Sequence, residues 1–164
     1  MSAAKKKSGA RSTKVRAPRI LVLSGPNLQL LGTREPEIYG YETLGELHAR
    51  VEARGQELGC EKVDTYQSNH EGELLDRIGH ARGSYDGILL NGAALTHTSL
   101  ALFDALKACG VPCIEVHISN PEAREAYRRE SKIAPACVAK VSGFGTDSYI
   151  LALEGLVRWL GKRR

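Results

Sequence analysis

The stretch Pro112-Cys113-Ile114-Glu115-Val116-His117-Ile118-Ser119-Asn120-Pro121 decides the fold. Residues 112–116 are nearly apolar throughout, as a strand buried on both faces must be, and such strands belong to parallel sheets covered by helices. Asn120-Pro121 then reads as a helix start, with Asn as the N-cap and Pro at the first helical position. Working outward, the same alternation of short apolar runs and helical patterns fills the rest of the body. Strands are expected at Ile20-Leu21-Val22-Leu23, at Lys62–Gln67, at Gly87-Ile88-Leu89-Leu90 and at about Cys137–Val141.

The helical segments between them carry their own punctuation. Thr43-Leu44-Gly45-Glu46 is a capping box, in which Thr and Glu satisfy each other's orphan amides. Leu44, Leu47, Val51 and Leu58 form the apolar stripe that follows, and Gly59 ends it. A second helix is expected from about Glu71 to Arg82 and a third over Ser99–Ala108, stopped by Gly110. A short one begins at Asn120-Pro121, and a fifth opens near Thr146-Asp147 and carries Ile150, Leu153, Leu156 and Leu160. Five strands and five helices in strict alternation predict an α/β domain of three αβα layers, doubly wound around a five-stranded parallel sheet. The crossovers should be right-handed and the strand order flavodoxin-like, 2-1-3-4-5. Function then belongs at the carboxyl ends of strands one, three and four.

Length and charge agree with one domain. The chain has 164 residues, with 42% apolar and 26% charged, ordinary for a globular protein that needs no metal or disulfide staple. The net charge is +4, but Lys5, Lys6, Lys7, Arg11, Lys14, Arg16 and Arg19 put seven positive charges before residue 20 with no acidic residue among them. Removing those seven leaves the remainder at −3. The reading is therefore a disordered basic tail over residues 1–18 and a single domain over 19–164 whose surface lacks the basic face of a nucleic-acid binder. No apolar run of about 7–15 residues follows the basic residues, so the tail is not a secretory signal. No stretch approaches the ~20 apolar residues of a membrane span. Cys109 and Cys113 make a C-x3-C pair that no second Cys/His pair completes into a zinc site. Reduced, structural cysteines and a cytoplasmic location are expected.

The three strand ends carry unusual residues. Ser24 through Gly40 is long for a βα connection, whose usual length is about 2–6 residues, and long connections of this kind are often lids. Arg34 and Tyr39 lie inside it, with Gly32 and Gly40 as hinges. A guanidinium beside a phenol stabilises phenolate, which makes a tyrosine a usable base. The loop alone fits at least as well a tyrosine that packs it, with Arg34 paired to Glu35. After strand three, Asn91 can offer a donor and an acceptor to a hydroxylated ligand, and His97 precedes a helix N-terminus that favours anionic groups. A helix-capping stretch with an incidental histidine fits equally. After strand four, residues 115 and 117 share a side of the strand, so Glu115 can orient His117 as a general acid, and the Ile118 and Ser119 amides lead into a turn suited to a carboxylate. There, catalytic and structural readings weigh about the same. His48, His70 and His80 receive no role. The chain holds no G-x-G-x-x-G, no G-x-x-x-x-G-K-[ST] and no G-x-S-x-G, which argues against nucleotide binding and serine hydrolysis.

Four segments together resemble the type II 3-dehydroquinate dehydratases, over nearly the whole body from Ile20 to about Leu160. They are Gly25-Pro26-Asn27-Leu28 through Arg34-Glu35-Pro36 and Tyr39-Gly40; Gln67-Ser68-Asn69-His70-Glu71-Gly72; Asn91 with Thr96-His97-Thr98-Ser99; and Glu115-Val116-His117-Ile118-Ser119-Asn120 with Ala123-Arg124-Glu125. The resemblance implies dehydration of 3-dehydroquinate to 3-dehydroshikimate by anti elimination through an enolate, in the shikimate pathway and without a cofactor or metal. It implies Tyr39 as base activated by Arg34, a water near Asn27 that holds the enolate, and His117 as acid oriented by Glu115. Asn91, His97 and Arg128 would hold substrate hydroxyls, and Ser119 with the Ile118 amide the carboxylate. Asp104 would reach a neighbouring subunit's site in a dodecamer built as a tetramer of trimers.

The chain departs from that pattern at Gln29, where Asn is usual, and at Asn91-Gly92-Ala93-Ala94, in place of Asn-Pro-Gly-Ala. It departs again at Phe103, in place of Arg, and at Arg129-Glu130-Ser131-Lys132, in place of a His-containing stretch. None of these removes a proposed catalytic group. Two other readings stand beside the enzyme: a flavodoxin-like binding module without activity, which would be expected to lack Arg34, Tyr39 or His117, and a nucleic-acid binder driven by the basic tail.

Overall fold

The computed structural model describes residues 16–33, 37 and 40–163. Five parallel strands run through its centre: β1 (Arg19–Ser24), β2 (Lys62–Gln67), β3 (Gly87–Asn91), β4 (Cys113–His117) and β5 (Ala139–Ser142). Their order is β2-β1-β3-β4-β5, every neighbouring pair is parallel, and the sheet is the doubly wound one expected. Four α-helices flank it among the described residues: α1 (Leu44–Glu57), α2 (Glu71–Ala81), α3 (Leu100–Cys109) and α4 (Asp147–Gly161). None is long and apolar enough to cross a membrane.

Alternation along the strands builds the two cores. Ile20, Val22, Leu89, Ile114 and Val116 face α1 and α4, where they meet Leu47, Val51, Leu153 and Leu156. Leu21, Leu23, Ile88, Leu90 and Cys113 face α2 and α3, against Leu74, Ile78, Leu102 and Leu106. The residues that read as unbroken apolar runs are thus divided between two helix layers, which is why β1, β3 and β4 carry few polar side chains.

The punctuation works as its chemistry requires. Thr43 accepts from the Glu46 amide at 3.3 Å, and the Glu46 carboxylate accepts from the Thr43 amide at 2.9 Å. Gly59 (φ 75°) and Gly110 (φ 71°) supply the left-handed residues that end α1 and α3.

The connection between β4 and β5 differs from expectation. Asn120 does cap a turn, accepting from the Glu122 amide at 3.2 Å with Pro121 first in line, but the turn is a single 3-10 turn, Pro121–Ala123. Arg124 is extended (φ −100°, ψ −163°), and two further 3-10 turns, Ala126–Arg128 and Ala134–Ala136, complete the crossover. The turn goes no further because Arg124 and Glu125 (φ −61°, ψ 149°) are both extended, so the Ala123 and Arg124 amides close three-residue bonds to the Asn120 and Pro121 carbonyls and no α-helical ladder follows. Strand β5 begins two residues later than the apolar run suggested, at Ala139.

Residues 16–18, counted with the tail on composition, are bonded to the body. Arg16 reaches Asp86 at 2.9 Å, and the Pro18 carbonyl accepts from the Glu61 amide at 2.9 Å. The remainder of the expected tail, residues 1–15, lies outside the described residues.

Candidate functional site

The carboxyl ends of β1, β3 and β4 lie side by side. Register pairs Ser24 with Asn91 and Leu90 with Glu115, so the loops after these strands leave the sheet together. Between them is a cavity of about 250 Å³. Asn27, Asn91, His97, His117, Ser119 and Arg128 line it, as do Ile118 and Arg124.

The β1 loop enters this space through a tight turn. The Gly25 amide donates to the Asn91 carbonyl at 2.8 Å, and Asn27 adopts the left-handed conformation (φ 67°) that Asn tolerates better than other non-glycine residues. The segment after β2 holds that turn in place. The Asn27 amide donates to Asn69 Oδ1 at 2.9 Å, and Gln67 Nε2 donates to the Gly25 carbonyl at 3.2 Å and to Asn69 Oδ1 at 3.1 Å. Gln67 and Asn69 carry part of the family resemblance, but the sequence assigns them no role, because their partners lie 42 residues earlier in the chain. Gly32 (φ 89°) lies so near residue 41 that a Cβ there would come within 2.8 Å of the Tyr41 carbonyl oxygen. Gly32 and Tyr41, which bracket the second half of the long loop, therefore meet at one neck. Arg34 and Tyr39, expected on this loop, lie outside the described residues.

Asn91 is 3% exposed and fixed from two sides. Its Oδ1 accepts from the Ala93 amide at 3.1 Å, its backbone carbonyl accepts from the Gly25 amide at 2.8 Å, and its side chain lies beside the buried Tyr149 hydroxyl. Tyr149 in turn meets Ser24 Oγ at 3.2 Å, and burial pushes its phenol up to about 12, so it serves as a neutral strut.

Two histidines face the cavity with their rings nearly parallel, centroids 6.5 Å apart and planes at 18°. His97 Nδ1 lies 2.8 Å from the Glu130 carbonyl oxygen. A carbonyl can only accept, so Nδ1 carries a proton and Nε2 is the nitrogen left for a ligand. His117 Nε2 lies 2.6 Å from Glu115 Oε1, which leaves Nδ1 for the cavity. Glu115 is fully buried, and its other oxygen accepts from Ser131 Oγ at 2.7 Å. A buried carboxylate with both oxygens engaged is a fixed electrostatic support for whatever proton His117 carries.

Arg128 and Arg124 place cationic groups at the rim. Their Nε atoms stand 3.2 Å and 3.6 Å from Glu125 Oε2. The Glu125 carboxyl is held below its usual range chiefly by its own backbone amide, with desolvation opposing and the two guanidiniums adding to the lowering. Arg124 and Ser131 belong to the site although the sequence reading assigned neither a role. Their spacing after His117 belongs to an irregular crossover, which no periodicity reveals. Asp104 is exposed on α3 and does not line the cavity. No group of three or more His, Cys, Asp or Glu side chains that could hold a metal occurs among the described residues.

Residues 18–157 match the family model described as dehydroquinase class II. The chain belongs to that family. A 3-dehydroquinate dehydratase of Phenylobacterium zucineum is 54% identical to it over 142 residues, covering 85% of the chain and 97% of the relative. One from Synechocystis sp. is 53% identical over 142 residues, 87% of the chain and 93% of the relative. The crystal structure of the type II dehydroquinase from Propionibacterium acnes superposes with a TM-score of 0.83 at 40% identity, covering 87% of this chain and 98% of that one.

Proposed function

We propose that the protein is a 3-dehydroquinate dehydratase, converting 3-dehydroquinate to 3-dehydroshikimate and water by anti elimination through an enolate. The observation that carries this reading is the buried Glu115–His117 pair, opening on a cavity with Asn27, Asn91 and Arg128 in a chain of the dehydroquinase family. Elimination beta to a ketone needs a base, a group that holds the enolate oxygen and an acid for the departing hydroxyl. Tyr39, with its phenolate favoured by Arg34, takes the proton beside the ketone. A water at Asn27 holds the enolate oxygen, and His117 gives its proton to the leaving hydroxyl from Nδ1 while Glu115 carries the ring.

Asn91, His97 and Arg128 bind substrate hydroxyls, and Ser119 with the Ile118 amide binds the carboxylate. Each of these residues lines the cavity, which supports the assignment. The reaction breaks no bond that requires a redox cofactor, an imine or a metal. In the cell the enzyme acts in the cytoplasm, in the shikimate route to aromatic amino acids. It assembles as a dodecamer, a tetramer of trimers in which Asp104 reaches a neighbouring site.

Ultraviolet absorbance of the conjugated enone product tests the reaction directly. Wild type should turn over 3-dehydroquinate, unaffected by EDTA or borohydride, while Tyr39→Phe and His117→Ala should each lose about 10²–10⁴-fold in kcat. A folded wild-type protein without turnover would overturn the reading. Light scattering tests the assembly, with twelve times 17.8 kDa expected.

A further inference from the structure

Residues 130–132 touch the site three times in succession. The Glu130 carbonyl accepts from His97 Nδ1 at 2.8 Å, Ser131 Oγ donates to Glu115 Oε2 at 2.7 Å, and the Lys132 amide donates to the Thr96 carbonyl at 2.8 Å. Ser131 is the one member of this run that acts through its side chain toward the buried pair. Its hydroxyl also accepts from the Ala134 amide at 2.9 Å. The Ala134 N–H occupies a lone pair and Glu115 offers only acceptors, so the Ser131 proton has one direction to point.

A carboxylate with a donor on one oxygen only can pivot about its bond to the chain, and its partner pivots with it. Glu115 has donors on both oxygens, His117 Nε2 on one and Ser131 on the other, in a position fully shielded from solvent. Shielding matters because no bulk water is at hand to replace a lost donor. We propose that Ser131 is a positioning residue: it locks the plane of Glu115 and thereby the ring of His117, with Nδ1 turned to the cavity. Together with the adjacent Glu130 carbonyl it makes residues 130–131 a clip that sets both site histidines at once. The functional consequence rests on His117 being the acid of the proposed reaction.

The test compares Ser131→Ala and Ser131→Thr with wild type in steady-state turnover of 3-dehydroquinate, together with ¹⁵N-edited spectra of the histidine rings. Loss of the donor should lower kcat by about 10–100-fold, the scale expected of a misplaced catalytic group, with thermal stability measured alongside so that only folded enzyme is counted. KM should stay within about twofold, because Ser131 does not face substrate. Threonine keeps the hydroxyl and should restore most of the rate. Where Ser131→Ala does not fold, Ser131→Cys, of similar size and a weak donor, takes its place with the same expectation. Unchanged kcat, a loss confined to KM, or a threonine variant as slow as alanine would each overturn the proposal. If wild type itself fails to turn over 3-dehydroquinate, the reaction reading falls alone. The spectra then still decide the clip: the His117 ring signals must change in Ser131→Ala, and an unaltered spectrum sinks it.

Discussion

Gly25 and Gly92 meet backbone to backbone: a Cβ at residue 25 would come within 2.7 Å of the Gly92 carbonyl oxygen and 3.1 Å of the Asn91 one. The contact joins the β1 loop to the β3 loop just before the cavity-lining Pro26 and Ala93, next to the 2.8 Å hydrogen bond from the Gly25 amide to the Asn91 carbonyl.

No flexible side chain can give way there, so Gly25→Ala must push the two loops apart. We expect a destabilisation of about 1–3 kcal/mol, the usual cost of overpacking. Turnover should fall as well, because Asn27 and Asn91 move with the loops. A variant that melts at the wild-type temperature in calorimetry would show that the loops are not in contact in solution.

Thr96 presents the opposite case. It is fully buried, and its hydroxyl has no hydrogen-bond partner among the described residues. Valine has the same shape without the polar atom, so Thr96→Val should leave stability unchanged or raise it by about 1 kcal/mol. Urea unfolding measures this, and a clear loss would mean that the hydroxyl is bonded.

The pH dependence of stability should carry the mark of His48. Its imidazole lies near Ser24, and burial lowers its pKa from 6.5, with Glu52 offsetting only part of the effect. Because the unfolded chain binds that proton more readily than the folded one, stability is greatest above pH 6.5 and declines as the pH falls through that value. Denaturant midpoints between pH 7.5 and 5 should decline less in His48→Gln than in wild type. Equal slopes would exclude this origin.

Thiol chemistry should separate the four free cysteines. Cys113 is 1% exposed, and burial, followed by its contact with Cys137, raises its thiol well above the usual value. Iodoacetamide should leave Cys113 unmodified in the native protein and alkylate it after denaturation, as read by peptide mass mapping. Rapid native labelling of Cys113 would contradict the packing of β4 against α3.

The parts of this molecule that were legible in the sequence are those governed by local rules. The start of α1 follows from a reciprocal Thr43–Glu46 bond three residues apart, and β3 and β4 follow from runs that only a doubly covered sheet can bury. The Glu115–His117 pair was legible because strand geometry alone puts both side chains on one face. Less was visible where partners come from distant parts of the chain. Nothing near Ser131 announces that its hydroxyl ends on Glu115, 16 residues earlier, and nothing near Asn69 announces Asn27, 42 residues away. The β4–β5 crossover misled for a related reason. Asn120-Pro121 is a sound start signal, but a start does not fix continuation, and the backbone turns extended at Arg124 and Glu125, which no local pattern announces.

The strand β1 also fixes where the protein can be handled. It begins at Arg19, at the amino end of the sheet and opposite the cavity, and its six residues span roughly 17 Å from there to Ser24. Arg16 is fastened beside Asp86 at that same end. A chain grafted to a resin or electrode through its amino-terminal segment would therefore be anchored from behind, with the mouth between Asn27 and Arg128 turned toward the solution.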